Sequence, residues 1–260
     1  MMRSLKSPIR HLMRTLRNWK QRVKDYSTRC LQSGFIPFTY GPAQFFGRYI
    51  AKLIVLVQIG KLRVLGEENL QIPGRFLFCP NHSSMFDAPV MYSILTRGNV
   101  RYMTAYEEMR GFWGLKAIVM GAMGTFAVDR SKGKSVIEPA VEVLVSGQSL
   151  TIFPEGRVSE TEACQPFKKG AAVIGSVALK RIPAGERIAI VPVNIKYHHR
   201  HDPTARTDFF KMGLKWRGGV TVTVGKPLYL DEMEGMAPDE IMAEARKFIC
   251  NVQQGCACAA

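Results

Sequence analysis

The sequence predicts an α/β fold: a mostly parallel central sheet flanked by helices, with a basic amphipathic helical element ahead of it. Three observations carry this reading. From about residue 75 onward, short apolar runs alternate with segments of helical period, the pattern of strands joined through covering helices. Of the 260 residues, 47% are hydrophobic and 22% are charged, which is too much apolar content for a disordered chain. No Gly-x-x repeat and no sustained heptad runs through the sequence, so collagen-like and coiled-coil classes are excluded. The charge is less ordinary: 36 Lys and Arg stand against 21 Asp and Glu, a net +15. A chain this basic is expected to meet nucleic acid, an anionic membrane surface, or an acidic partner or substrate.

Residues 3–27 come first. Leu5, Ile9, Leu12, Met13, Leu16, Trp19, Val23 and Tyr26 recur at three- and four-residue steps and fall on one helical stripe. Lys and Arg fill much of the remainder against the single acid Asp25, and the first thirty residues hold +8 of the charge. This is the pattern of a helix lying in a membrane interface; the alternative is a helix that packs its stripe on the body and solvates its charges. Residues 43–59 form a second apolar segment in which Arg48 and Lys52 share one face, so it also fits an ordinary core helix. Together the two segments suggest an N-terminal helical element, residues 1–60, ahead of an α/β body, residues 61–260.

Within the body, strands are expected at 75–79, 100–104, 126–128, 150–153, 188–195 and 220–224, and helices at 85–95, 106–120, 134–146, 170–179 and 238–253. Ligand sites in such sheets lie where strands end and helices begin. No segment offers the roughly 20 apolar residues of a spanning helix: the stretch 31–47 is broken by Pro37 and Pro42, and the next run by Arg48 and Lys52. The N-terminus lacks the apolar region of a secretory signal, so a soluble protein, or one bound to the cytoplasmic face of a membrane, is expected. Cys30, Cys79, Cys164, Cys250, Cys256 and Cys258 form no Cys-x-x-Cys pair and read as free thiols in a reducing compartment. The last four residues do not begin with Cys, so no prenylation is expected.

Four strand-end turns carry chemistry. The first runs Pro80-Asn81-His82-Ser83-Ser84-Met85-Phe86-Asp87. With His82 in the turn and Asp87 in the first turn of the next helix, the carboxylate meets one imidazole nitrogen and raises the basicity of the other. The competing reading is a capping box in which Asp87 only satisfies backbone donors. The second turn, Gly124 to Arg130, delivers a cation to a strand end, or else a surface Arg pairs with Asp129. The third is Phe153-Pro154-Glu155-Gly156-Arg157, with Phe167-Lys168-Lys169-Gly170 close behind; glycine lets backbone approach an anion and Arg or Lys supplies counter-charge. The fourth, Val191-Pro192-Val193-Asn194, is a strand interrupted by proline, which suggests an edge or bulge position.

Other chemistries fail on residues. There is no Gly-x-Ser-x-Gly elbow, and Gly133-Lys134-Ser135 lacks the first glycine of a phosphate loop, Val128 standing there. His198, His199 and His201 alternate in direction on an extended segment with Arg200 among them, the mark of a solvated loop rather than a metal site. Zinc-finger spacings, RNP-like aromatic motifs and basic regions joined to heptads are missing, so no nucleic-acid partner is expected.

In order and separation, the four turns resemble the signature of the 1-acyl-sn-glycerol-3-phosphate acyltransferase family within the glycerolipid acyltransferase superfamily, over about residues 62–230. Asn81-His82-x-x-x-x-Asp87 matches the first block, Gly124 to Arg130 the second, Phe153-Pro154-Glu155-Gly156 the third and Val191-Pro192-Val193 the fourth. In the second block Ala127 stands where the family has an aromatic, and in the third Arg157 comes one place early, with Val158 at the usual arginine position. The resemblance implies a glycerol-3-phosphate acyltransferase-like fold, with residues 61–260 as catalytic domain. His82 and Asp87 would be the catalytic pair, and Arg130, Glu155, Gly156, Arg157, Gly124 and Lys168 would surround the acceptor's phosphate. It implies no metal and no cofactor; the substrates would be an acyl thioester of CoA or acyl carrier protein and a lysophospholipid, at a membrane surface with anionic lipids. The related alternatives are acceptors such as glycerol-3-phosphate, another lysophospholipid or a lyso-aminolipid, and a binding protein without catalysis.

Overall fold

A computed structural model describes residues 6–95, 100–111, 114–129, 131, 136–159, 164–198 and 218–255, with side chains from Met13 onward. The chain opens with α1 (Lys6–Cys30) and α2 (Gly41–Gln58), the latter carrying proline in its first turn, where the missing N–H costs no helical bond. There follow β1 (Leu62–Leu65), β2 (Arg75–Pro80), α3 (Asp87–Ile94), β3 (Val100–Ala105), α4 (Tyr106–Met109), α5 (Leu115–Ala122) and β4 (Thr125–Val128). The second half contributes α6 (Ile137–Val145), β5 (Ser149–Thr151), α7 (Gly170–Leu179), β6 (Ile188–Tyr197), β7 (Val220–Val224), β8 (Leu228–Tyr229) and α8 (Pro238–Gln253).

The strands form one sheet in the order β1-β7-β6-β2-β5-β3-β4, with β8 also on β6. β6, β2, β5, β3 and β4 are mutually parallel; β7 and β8 run antiparallel to β6, and β1 follows β7. The expected mostly parallel sheet is thus present. Both faces are covered. Phe76, Phe78, Val191 and Val193 meet Val55 of α2 and Val90 and Met91 of α3 on one side. Leu77, Cys79, Leu150 and Ile190 meet α6, α7 and α8 on the other. Burial on both faces is why β2 reads as an unbroken apolar run instead of an alternation.

The expected helix at 106–120 is two helices, α4 and α5. Gly111 at φ 127° and Gly114 at φ 88° adopt backbone that no helix allows, and a Cβ on Gly114 would lie 1.8 Å from Ser27 Oγ. β1 and β8 are additions to the sequence reading, being four and two residues long with only partial burial. Pro192 does not mark an edge: β6 lies between β2 and the β7–β8 pair. Asn81 N donates to Val193 O, so odd-numbered residues there face β2, and Pro192 O faces Gly225 N at 2.9 Å on the other side. Its missing N–H points at the gap where β8 stops at Ile190 and β7 starts at Val193, and no ladder bond is lost.

The N-terminal helices are tied to the body through their connection. Tyr40 N donates to Ala122 O, Gly34 N to Ala127 O and Arg101 Nη1 to Pro37 O, while Cys30 is buried with Met109 and Ala117. Residues 13–22 of α1, in contrast, are exposed throughout.

Candidate active site

The carboxyl ends of β2 and β5 converge on His82. Beyond Pro80, the last residue of β2, the Asn81 side chain extends the ladder: its Nδ2 donates to Ile195 O at 3.1 Å and Ile195 N donates to its Oδ1 at 2.7 Å. The next residue, His82, is held on four sides. Its backbone N–H donates to Glu155 Oε1 at 3.1 Å, and its carbonyl accepts from Ser159 N at 2.6 Å. Its ring stacks on Phe153 with centroids 4.2 Å apart, and its Nδ1 lies 2.9 Å from Asp87 Oδ2.

Asp87 is fully buried at the start of α3. Its Oδ2 also accepts from Ser83 N at 2.6 Å and Ser84 N at 2.7 Å, and its Oδ1 accepts from Tyr197 Oη at 2.7 Å. The two readings of Asp87 are therefore both met: it satisfies backbone donors of the turn and it faces the imidazole. A carboxylate accepts, so Nδ1 carries the ring proton and Nε2 keeps its lone pair. His82 is partly exposed, with 19% of its side chain accessible.

Glu155 is buried beside the pair, and its Oε2 has no hydrogen-bond partner. Burial pushes its carboxyl up to about 7, against the downward pull of the His82 backbone N–H. Gly156 follows at φ +74°, and a Cβ there would stand 2.8 Å from Lys168 Nζ. The glycine thus lets the lysine ammonium lie against the turn's backbone. Lys168 N donates to Pro154 O, and Arg246 of α8 clamps the preceding residues through Gln165 O at 2.9 Å and Cys164 O at 2.8 Å. Lys169 turns instead toward Asp239. Arg157 is exposed next to Gly156.

His82, Asp87, Glu155, Gly156 and Lys168 are thus gathered by the structure. Gly124 is not: it precedes β4, at the amino end of that strand, and the site lies at the carboxyl ends. Arg130, His199 and His201 lie outside the described residues; His198 pairs with Thr221 Oγ1 at 2.8 Å, and Asp129 Oδ1 accepts from Ser131. Among the described residues no group of three His, Cys, Asp or Glu is placed to hold a metal. Ser159 and Tyr197 enter the site without having been singled out in the sequence, and Phe153, named there only as part of the third turn, gains a role against the imidazole.

An α/β body that brings a histidine–aspartate pair to the carboxyl edge of its sheet has the architecture of an enzyme. Comparison with known proteins gives the class a name. The Acyltransferase family model matches residues 61–196, which reach from the start of β1 nearly to the end of β6. The chain belongs to the acyltransferase family. It is 24% identical over 217 residues to the lyso-ornithine lipid O-acyltransferase of Brucella abortus, covering 82% of this chain and 69% of that protein. It is 27% identical over 213 residues to a chloroplastic 1-acyl-sn-glycerol-3-phosphate acyltransferase of Brassica napus, covering 78% of this chain but only 55% of that protein. The chain therefore spans little more than half of its plant relative. The 1-acyl-sn-glycerophosphate acyltransferase of Thermotoga maritima shares the fold, with a TM-score of 0.58 at 18% identity over 95% of this chain and 99% of that one.

Proposed function

We propose that the protein transfers a fatty acyl group from an acyl thioester to the free hydroxyl of 1-acyl-sn-glycerol-3-phosphate, giving phosphatidic acid. The carrying observation is the His82–Asp87 contact at 2.9 Å, with Asp87 buried and His82 partly open. Nε2 of His82 takes the hydroxyl proton as the oxygen attacks the thioester carbonyl. The C–S bond breaks, and the imidazolium returns the proton to the departing thiolate. A thioester is already activated, so a base contributing about 10²–10⁴ in rate, added to the effect of positioning, is adequate chemistry. The acceptor's phosphate is met by Lys168, the Gly156 backbone, Arg157 and Arg130.

A second reading is favoured by the Brucella relative: a lyso-ornithine lipid as acceptor. Cations beside the histidine–aspartate pair, Lys168 and Arg157 among them, suit a doubly charged phosphate monoester better than a zwitterionic headgroup, which keeps lysophosphatidic acid first. The test is acyl transfer by purified protein from palmitoyl and oleoyl thioesters of CoA and of acyl carrier protein. The acceptors are lysophosphatidic acid, lyso-ornithine lipid, lysophosphatidylethanolamine and glycerol-3-phosphate, with His82→Ala alongside. Preference for a neutral or zwitterionic acceptor overturns the substrate; full activity of His82→Ala overturns the mechanism.

The same reading includes a membrane-bound enzyme. Among the described residues no helix is long and apolar enough to cross a membrane. Large exposed apolar side chains nevertheless concentrate on α1, α2 and α5. They include Met13, Leu16 and Trp19 on α1, Phe46, Tyr49, Ile50, Leu53 and Leu56 on α2, and Leu115 and Val119 on α5. Exposed apolar side chains in this number beside a basic helix suit a bilayer interface with anionic lipids, and they support residues 1–60 as the membrane-association element.

A further inference from the structure

We infer that Tyr197 is a positioning residue of the active site, holding the Asp87 carboxylate in the plane from which it orients His82. This rests on the proposed His82 chemistry and names a residue that the sequence motifs do not contain. The three donors on Oδ2 are local: Ser83 N, Ser84 N and His82 Nδ1 all come from the same turn as Asp87 itself. If that turn shifts, they shift together. Tyr197 is different, because its hydroxyl reaches Oδ1 at 2.7 Å from a residue 110 positions away.

The strand pairing explains how it gets there. β2 ends with Pro80 opposite Val193, whereas β6 runs on to Tyr197. The overhang passes the turn and holds it at both ends. Ile195 takes the Asn81 side chain through two backbone bonds, and two residues further on Tyr197 takes Asp87. Asn81 and Asp87 bracket His82, so the overhang of β6 fixes the frame in which the imidazole sits. Tyr197 is itself held, since it is buried in the core cluster with Val193 and Val220 and its backbone pairs with Val220 on β7. A phenol donating to a buried carboxylate is a charge-assisted bond, short and directional, and without it Oδ1 is left to rotate or to stay unpaired. A core tyrosine whose hydroxyl merely needed an acceptor would affect stability alone.

Tyr197→Phe separates the two. The other titratable and charged groups facing the pair, Glu155 and Arg246 beyond it, are unchanged by this replacement. The expected result is about a tenfold lower kcat with both KM values within twofold. The His82 Nδ1 proton resonance, observed downfield in 15N-histidine-labelled protein and assigned with His82→Gln, is expected to move or broaden. If Tyr197→Phe folds poorly, 3-fluorotyrosine at position 197 keeps the ring and hydroxyl and changes only the donor strength; the same resonance is then expected to move. A kcat within twofold of the parent, or a resonance unmoved by either replacement, overturns the inference. The resonance needs no turnover, so it reports on Tyr197 even if the acceptor panel rejects lysophosphatidic acid; only full activity of His82→Ala removes the reading beneath it.

Discussion

Glu155 offers a prediction whose size follows from its burial. Its carboxyl sits under the His82 backbone with one oxygen bonded and the other without a partner, and burial raises it from 4.5 to about 7. Below pH 4.5 the folded and unfolded chains both hold the proton, and the group adds no pH dependence. Between pH 4.5 and about 7 the unfolded chain has lost it while the folded chain retains it. The native state then binds more protons than the unfolded one, so stability falls as pH rises. The slope is at most about 1.4 kcal/mol per pH unit, and the total over the window is about 3 kcal/mol. Above that window the contribution is constant. Glu155→Gln keeps an acceptor for His82 N but cannot ionise, so it removes this dependence. The assay is urea unfolding of parent and variant at pH 5, 6, 7 and 8. The parent's stability relative to the variant is expected to fall by about 3 kcal/mol across that range, within a factor of two. A difference that is flat, or that grows with pH, refutes the assignment of a buried, destabilised carboxylate at this position. Titrating groups that do not interact with Glu155 are common to both proteins and cancel in the difference.

Three further outcomes are expected. Asn81→Ala leaves the N–H and C=O of Ile195 without their partners, and urea unfolding is expected to show a loss of about 2–4 kcal/mol; a loss below about 1 kcal/mol means the ladder extension is dispensable. Gly156→Ala puts a Cβ at φ +74° against the Lys168 ammonium and is expected to raise the acceptor KM several-fold more than it lowers kcat, as initial rates across acceptor concentrations will show. Removing residues 2–20, which takes away the exposed side chains from Met13 to Lys20 of α1, is expected to weaken flotation with anionic vesicles by about tenfold while sparing turnover of a soluble short-chain acceptor. Equal flotation of the two proteins counts against an interfacial role for α1.

Most of the architecture was legible because it is local. β2, β6 and β7 announce themselves as apolar runs bounded by turn residues, and α7 and α8 by period. What failed was also local in its cause. Gly111 and Gly114 sit inside an otherwise helical pattern, and only their positive φ shows that the pattern is two helices. Pro192 reads as an edge or bulge position because a proline in a strand usually lies at one; it is at neither edge of this sheet, and the gap between β8 and β7 spares its missing donor. Gly124 shares a sequence block with Arg130, yet strand direction puts it at the far end of β4 from the site.

The site divides along the same line. His82 and Asp87 are five apart, and a turn followed by a helix start can bring them together, so spacing alone raised the pair. Between two adjacent lysines spacing has nothing to say: only the fold shows Lys168 against Gly156 and Lys169 turned to Asp239. The stabilising partners are harder still. Asn81 meets Ile195 and Asp87 meets Tyr197 across 114 and 110 residues, and no periodicity links positions so far apart. They become neighbours because β6 is longer than the strand it pairs with, and strand length past the last ladder bond is a property of the assembled sheet. A histidine motif therefore names the reactive group and the carboxylate that orients it, while the strand that holds both in place, through Ile195 and Tyr197, lies outside the motif.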